Sequence, residues 1–160
     1  MYWKPSDTFK LIFSLAISGL AGAVGTLFTI SAIPTWYAWL AKPAIAPPNW
    51  IFGPVWTTLY ILMGIAAFLV WRKARPRTAR WKLGIFDVQL ILNALWSFIF
   101  FGAHNLVGAF IEIIVLWIAI LATIIAFARV SRTAAWLLAP YLAWVTFAAY
   151  LSWSIWSLNG

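Results

Sequence analysis

The sequence contains no cysteine and one histidine, His104. Without thiols there is no disulfide framework, no thiolate metal site and no thiol nucleophile. One imidazole cannot form an all-histidine metal site, and at most it supplies an axial ligand to haem. There is also no Gly-rich phosphate loop and no Ser/His/acid set. We therefore predict neither a metal site nor a catalytic residue.

Charged residues are scarce, at 9% of the 160 residues, whereas 65% are hydrophobic. In soluble domains about a quarter of all residues are charged, so water is not the main solvent of this chain. The net charge of +8 comes from basic residues that lie between the apolar runs rather than in a basic patch. This arrangement argues against a nucleic-acid partner and predicts that the partner is a lipid bilayer.

Five apolar runs are each long enough to cross a membrane, for which a helix needs about 20 residues. They comprise residues 11–33, 50–71, 83–103, 106–128 and 133–158. The first run is longer than the apolar segment of about 7–15 residues in a signal peptide, so we expect it to be retained. The sequence predicts an all-α integral membrane bundle of five helices, with residues 1–160 forming one domain.

The basic residues predict the orientation of the bundle. Two precede the first run, six lie between the second and third, and two lie between the fourth and fifth. The opposite side has only Lys42. Because Lys and Arg concentrate on the cytoplasmic side, we predict a cytoplasmic amino terminus and a carboxyl terminus on the other side.

Tryptophan is unusually frequent, with 13 copies. Nine lie at or near the ends of the runs, as in an interfacial aromatic belt: Trp3, Trp36, Trp39, Trp50, Trp71, Trp81, Trp136, Trp153 and Trp156. The other four, Trp56, Trp96, Trp117 and Trp144, lie inside the runs, where an indole N–H needs a partner. These four need a different explanation.

Two carboxylates lie inside the runs. Glu112 is about 9 Å from the outer end of the fourth run, at about 1.5 Å per residue. It is either a snorkelling or hydrogen-bonded acid, or a group in proton relay or ligand contact. Asp87 lies near the inner end of the third run, and we expect it to form an interfacial ion pair with Lys82 or Arg80.

Two helical faces and one loop are candidates for a binding site. Gln89, Asn93 and Trp96 share one face, suited either to hydrogen bonds between helices or to lining a pocket. Trp144, Ala148 and Leu151 repeat this spacing, and they form either a slot for a flat ligand or a simple packing face. Residues 34–49, rich in Pro and aromatics, form either a stiff lid over the helix ends or a loop in the headgroup region.

Glycines at residues 19, 22 and 25 of the first run indicate positions of close helix packing, within the chain or in a dimer. They do not fit a phosphate-binding loop.

The loop and the second run read WYAWLAKPAIAPPNWIFGPVWTTLY at residues 36–60. This stretch resembles the signature of the translocator protein family, also called tryptophan-rich sensory proteins or peripheral benzodiazepine receptors. The likeness continues through QLxxNxxW at residues 89–96, FFG at 100–102 and PYLAWVTFA at 140–148. It therefore extends over nearly the whole chain in the same order.

The resemblance implies a five-helix bundle, often a homodimer, that binds porphyrin or haem as a ligand rather than as a cofactor. In animals it also implies cholesterol and synthetic benzodiazepine-site ligands. We expect the ligand to be contacted by residues of the loop, second, third and fifth runs: Trp36, Trp39, Pro47, Trp50, Trp56, Gln89, Asn93, Trp96, Trp144, Ala148 and Leu151.

The chain departs from the family pattern at two points. The steroid-recognition motif needs a basic residue near the carboxyl end, but none follows Arg132. Ser152 stands where many relatives have Asn.

Three functions remain open on this sequence. The first is binding of porphyrin for transport or sensing, and the second is proton-coupled export of small amphipathic molecules through Glu112. The third is light-dependent degradation of porphyrin, with a pocket Trp as the electron donor.

Overall fold

A computed structural model describes residues 4–160, so Trp3 of the predicted belt lies outside the described residues. The chain is 85% helical and the described part contains no strand. Five helices are long and apolar enough to cross a membrane. The predicted all-α class is therefore confirmed, and the protein is an integral, multi-pass membrane protein in a lipid bilayer.

The helices follow one another with short connections. The elements are α1 (Pro5–Ala32), α2 (Trp36–Trp39), a 3₁₀ turn (Asn49–Ile51), α3 (Phe52–Lys73), α4 (Pro76–Ser97), a π-helical turn (Phe98–Gly102), α5 (Leu106–Ala128), α6 (Arg132–Leu137) and α7 (Ala139–Asn159). We call the end of the bundle that carries α2 the outer end and the opposite one the inner end. An odd number of crossings places the two chain termini at opposite ends, whereas the cytoplasmic side stays a prediction from charge.

Two helices begin earlier than their apolar runs predict. Helix α1 begins at Pro5, and the Asp7 carboxylate accepts a hydrogen bond of 3.1 Å from the Lys4 backbone N–H. Helix α4 begins at Pro76, so the basic residues up to Lys82 lie on a helix rather than in a loop. Proline suits the first helical turn because its missing N–H is not needed there. Hydropathy alone does not predict these early helix starts.

The outer end of the third span and the inner end of the fifth are irregular. The π-helical turn at Phe98–Gly102 is closed by a 2.8 Å bond from the Ala103 N–H to the Phe98 carbonyl. The fifth span is divided at Leu138 into α6 and α7, with Pro140 in the first turn of α7. Because proline lacks an N–H and clashes with the preceding turn, one continuous helix is not favoured there.

The core lies between α3, α4, α5 and α7. Its fully buried side chains include Met63 and Val70 of α3, Leu116 of α5, and Tyr141 and Val145 of α7. Helix α1 packs on α3 and α4 and buries mainly small or polar residues. It therefore contributes a close-fitting wall rather than bulky core side chains.

Glycines allow the close approach of α1. A Cβ on Gly64 would lie 2.9 Å from the backbone Cα of Leu15, and one on Gly22 would lie 2.4 Å from the Tyr60 ring. A Cβ on Gly25 would lie 3.0 Å from the Ser97 hydroxyl. The packing prediction is confirmed for Gly22 and Gly25, whose close contacts are within the chain, whereas Gly19 has no such contact within the chain, because a Cβ there would meet nothing within 4 Å.

The predicted ion pair of Asp87 is wrong. In the part of the chain that the structure describes, the salt bridge joins Asp7 to Arg72 at 3.2 Å, and none forms between Asp87 and Lys82 or Arg80. The Lys82 ammonium instead donates a 2.6 Å hydrogen bond to the Ala126 carbonyl near the end of α5. Helix C-termini attract cations, and Lys82, five residues from Asp87, does not share its helical face. Arg80 does share that face but lies two turns away, about 10 Å along the helix axis.

We predict that Gly64→Ala destabilises the protein, because the added Cβ meets the backbone of α1 and no side-chain rotation relieves the clash. The expected loss is about 1–3 kcal/mol in the free energy of unfolding, measured by SDS titration of the detergent-solubilised protein. Gly84→Ala in α4 is the matched control, because a Cβ there meets nothing within 4 Å. Equal stability of the two variants would contradict the close packing of α1 on α3.

Candidate ligand-binding cavity

A cavity of about 670 Å³ lies in the outer half of the bundle. Its walls come from α1, α3, α4 with the following π-helical turn, and α7, and α5 contributes Ile113 and Leu116. Most of the lining is apolar. Ligand sites for small molecules have this size and character, with a few polar groups that fix orientation.

Aromatic side chains form much of the wall. Trp96 and Phe100 stack with ring centroids 5.0 Å apart, and Trp56 and Tyr60 stack at 5.5 Å. Each pair is separated by four residues along one helical face, which brings the rings together. Trp144 completes the set from α7. The cavity thus has several flat apolar surfaces on different helices.

The face of α4 that carries Gln89, Asn93 and Trp96 divides between the two roles expected of it. The Asn93 side chain accepts a hydrogen bond from the Tyr60 hydroxyl and donates one of 2.9 Å to the Tyr141 hydroxyl, so it joins α3, α4 and α7. Asn93 and Trp96 also line the cavity. Gln89 is buried away from it, with its amide nitrogen 3.9 Å from the Met63 sulfur. The face therefore serves both helix association and the cavity.

Three interior tryptophans line the cavity and one does not. Trp56, Trp96 and Trp144 belong to the lining, whereas Trp117 donates a 2.8 Å hydrogen bond from Nε1 to the Thr146 hydroxyl. The Nε1 of Trp96 is buried and has no hydrogen-bond partner among the described residues. Such a donor is costly to leave unpaired, but the atom has almost no accessible area and therefore does not face the cavity.

The face of α7 predicted as a slot lies in the wall. Trp144, Ala148 and Leu151 all line the cavity, and so does Ser152. Phe52 packs edge-on against Trp144 with centroids 6.2 Å apart, which holds the indole against the outer end of α3. A large ring next to a small alanine leaves space for a flat group.

The loop over the outer end is held in place as a lid. Asn159, the last residue of α7, accepts a hydrogen bond from the Ala41 N–H and donates one to the Ala41 carbonyl, both 2.9 Å long. Tyr37 of α2 is 3% exposed, packs against Phe100 and Phe101, and lines the cavity. Burial raises the pKa of the Tyr37 phenol, which therefore stays neutral.

Not every predicted contact residue lies at the cavity. Trp56, Asn93, Trp96, Trp144, Ala148 and Leu151 line it, and Trp36, Trp39, Pro47, Trp50 and Gln89 do not. Trp36 stacks on His104 at 4.2 Å, and Trp39 and Trp50 are 89% and 72% exposed. These loop tryptophans therefore face outward or seat the lid on the helix ends.

Sequence reasoning missed several lining residues. Tyr37 and Asn49 of the lid, Tyr60 of α3, Phe100 of the π-helical turn and a glycine- and threonine-rich face of α1 all contribute. A signal for two of them was present, because Tyr60 and Phe100 follow Trp56 and Trp96 at helical spacing. The contribution of α1 depends on its tertiary position and has no such signal.

Glu112 lies next to the cavity-lining Ile113 but not in the lining itself. Its side chain is buried, and within residues 4–160 neither carboxylate oxygen has a hydrogen-bond partner. The expectation of a snorkelling or hydrogen-bonded acid is therefore wrong. A buried and unpartnered carboxyl group costs stability, so it is a candidate for a functional role.

The cavity itself contains no charged side chain among the described residues. Its polar groups are hydroxyls, amides and indole N–H groups, which are neutral. The described residues also contain no cluster of three or more His, Asp or Glu that could hold a metal ion. The arrangement suits a large, flat, mainly apolar ligand that makes a few hydrogen bonds.

Comparison with known proteins agrees with this architecture. Residues 13–157 match the TspO/MBR family. The chain is 42% identical to the tryptophan-rich protein TspO of Archaeoglobus fulgidus, over 96% of this chain and 99% of that protein. It is 43% identical to the tryptophan-rich protein TspO of Chlorobaculum tepidum, over 94% and 98%. It is 40% identical to the human translocator protein, over 98% and 91%.

Of these relatives, the human protein is named a translocator protein, and the names of the other two state no activity. The likeness covers nearly the full length of each protein and includes the lid, α3, α4 and α7, which together form most of the cavity wall. This five-span membrane protein therefore belongs to the TspO/MBR family.

Proposed function

We propose that the cavity binds a porphyrin-type tetrapyrrole and that the protein transports or senses this ligand. The observation that carries the proposal is an uncharged, aromatic-walled cavity of about 670 Å³ beneath a tied-down lid. The names of two relatives, the human translocator protein and the tryptophan-rich sensory protein of Cereibacter sphaeroides, support a role in transport or sensing. They do not specify the ligand.

The physical argument for a tetrapyrrole is the match in shape and polarity. A macrocycle presents two flat apolar faces, and the indoles of Trp96 and Trp144 come from different helices of the wall. Each aromatic contact contributes about 0.5–1.5 kcal/mol beyond the burial of its area. Binding of sterols and benzodiazepine-site ligands, and a homodimer, stay predictions.

We predict that Trp96→Ala and Trp144→Ala each weaken the binding of protoporphyrin by about tenfold, or 1.4 kcal/mol, because each removes a stacking surface. The measurement is a titration of protoporphyrin into protein in nanodiscs, followed by the shift of the Soret band. Trp136→Ala is the matched control, since this indole is 75% exposed and outside the lining. Equal, non-saturating partition with all proteins would mean that the porphyrin only dissolves in lipid.

A second function, proton-coupled transport of small amphipathic molecules, is favoured by one observation. Glu112 is a buried carboxyl group whose two oxygens have no hydrogen-bond partner in the described part of the chain. Such a group can bind and release a proton as its surroundings change, and ionisable groups inside membranes commonly do so. This function uses a residue that the porphyrin proposal does not need.

For this alternative we predict that Glu112→Gln abolishes pH-gradient-driven uptake of an amphipathic dye into proteoliposomes but leaves porphyrin affinity unchanged. Glutamine keeps the shape of the side chain and removes only its titration. Asp87→Asn is the control, because Asp87 is an exposed carboxylate of α4. Undiminished uptake by Glu112→Gln would eliminate proton coupling through this residue.

A further inference from the structure

Lys42 is the one lysine or arginine of the sequence at the outer end, since the other ten lie before α1, on α1, or at the inner ends of the spans. It belongs to the lid, directly after Ala41, which Asn159 holds by two hydrogen bonds. The position of Lys42 is therefore fixed relative to the carboxyl end of α7. The cation lies at the same end of the bundle as the cavity.

The ammonium group is held against the cavity wall. It donates hydrogen bonds to the carbonyls of Leu40 at 3.0 Å and Ala38 at 3.4 Å, and it lies 4.7 Å from the centre of the Tyr37 ring. Cations are attracted to aromatic faces at such distances. Tyr37 is itself part of the lining, so one side chain separates the ammonium from the cavity.

Lys42 has no carboxylate partner among the described residues, where the salt bridge joins Asp7 to Arg72. The three acids of the sequence are Asp7, Asp87 and Glu112. The first two lie toward the inner end, and the third is buried within α5. An ammonium has three donor hydrogens, and its two backbone contacts leave one for a further acceptor.

The cavity cannot neutralise a charged ligand group by itself, because no charged side chain lines it in residues 4–160. A carboxylate left inside without a partner would carry a large desolvation cost. The carboxylate of a bound ligand therefore favours a position at the lid, where the flexible side chain of Lys42 can reach it.

We propose that Lys42 binds a carboxylate of the ligand, so that the protein selects flat ring ligands that carry an acidic side arm, such as a propionate. This inference rests on the proposed function, because it assigns the ring to the cavity and the acid to the lid. Lys42 is thus a specificity-determining residue of the same site.

The test compares protoporphyrin, which has two carboxylates, with its dimethyl ester, which has none. Both are titrated into nanodiscs containing the wild type, Trp96→Ala, Lys42→Gln, Lys42→Arg or Lys10→Gln. We expect Lys42→Gln to weaken binding of the acid by about tenfold, as on loss of one charge-assisted hydrogen bond. We expect it to leave binding of the ester unchanged. Lys42→Arg should retain most of the affinity for the acid, and Lys10→Gln, at the inner end, should behave as wild type.

Four results would overturn the inference. Equal weakening for acid and ester would mean that Lys42 only supports the lid, and unchanged affinity for both ligands would mean that no carboxylate contact exists. If neither the acid nor the ester saturates the wild type or responds to Trp96→Ala, the proposed function fails and this inference fails with it. The fourth result is that the ester binds saturably and in a Trp96-dependent way while the affinity for the acid is unchanged in Lys42→Gln. That result would refute this inference and leave the proposed function standing.

Discussion

The hydrogen bonds of Asn93 join three helices in the interior of the bundle. Its amide accepts from Tyr60 of α3 and donates to Tyr141 of α7, while its own backbone belongs to α4. In hydrocarbon a polar side chain must find its partners within the protein, so this arrangement selects one mutual position of the three helices. Tyr60 and Asn93 also line the cavity, and the separation of its walls is therefore set by the same bonds.

A second constraint acts at the outer end. Asn159 ties the lid through Ala41, and Tyr37 is buried against the aromatic rings of the π-helical turn. The turn matters because its extra residue changes the direction in which Phe100 and Phe101 project relative to a continuous α-helix. The lid thus rests on an irregular helix end. The aromatic residues that hold the lid, Tyr37, Phe100 and Phe101, also line the cavity.

The five spans were predictable because a membrane imposes a minimum apolar length that few soluble sequences reach. Helix starts at Pro5 and Pro76 were not, because they depend on local capping rather than on hydropathy. Helical spacing placed Asn93 with Trp96 and Trp144 with Ala148 on shared faces without deciding between packing and a pocket, and all four residues lie in the cavity wall.

The loop residues were predicted less well. A tryptophan in a loop is equally suited to an interface, to a ligand or to packing, and spacing does not separate these roles. Trp39 and Trp50 are exposed and Trp36 packs on His104, whereas Tyr37 between them faces the cavity. The part of the cavity wall that comes from α1 was also missed. Small residues in a helix indicate close packing, but they do not show which helix or cavity lies next to them.

We propose that the cavity between α1, α3, α4 and α7 is the ligand site. The most direct test is to fill this cavity with a larger side chain. Ala148 lies in the lining and Ala143 of the same helix is exposed outside it, so Ala148→Phe and Ala143→Phe add the same volume at two places. We expect the Ala148→Phe variant to remain folded but to lose saturable binding of protoporphyrin. We expect the Ala143→Phe variant to bind protoporphyrin with wild-type affinity. Wild-type affinity in a folded Ala148→Phe variant would contradict this proposal.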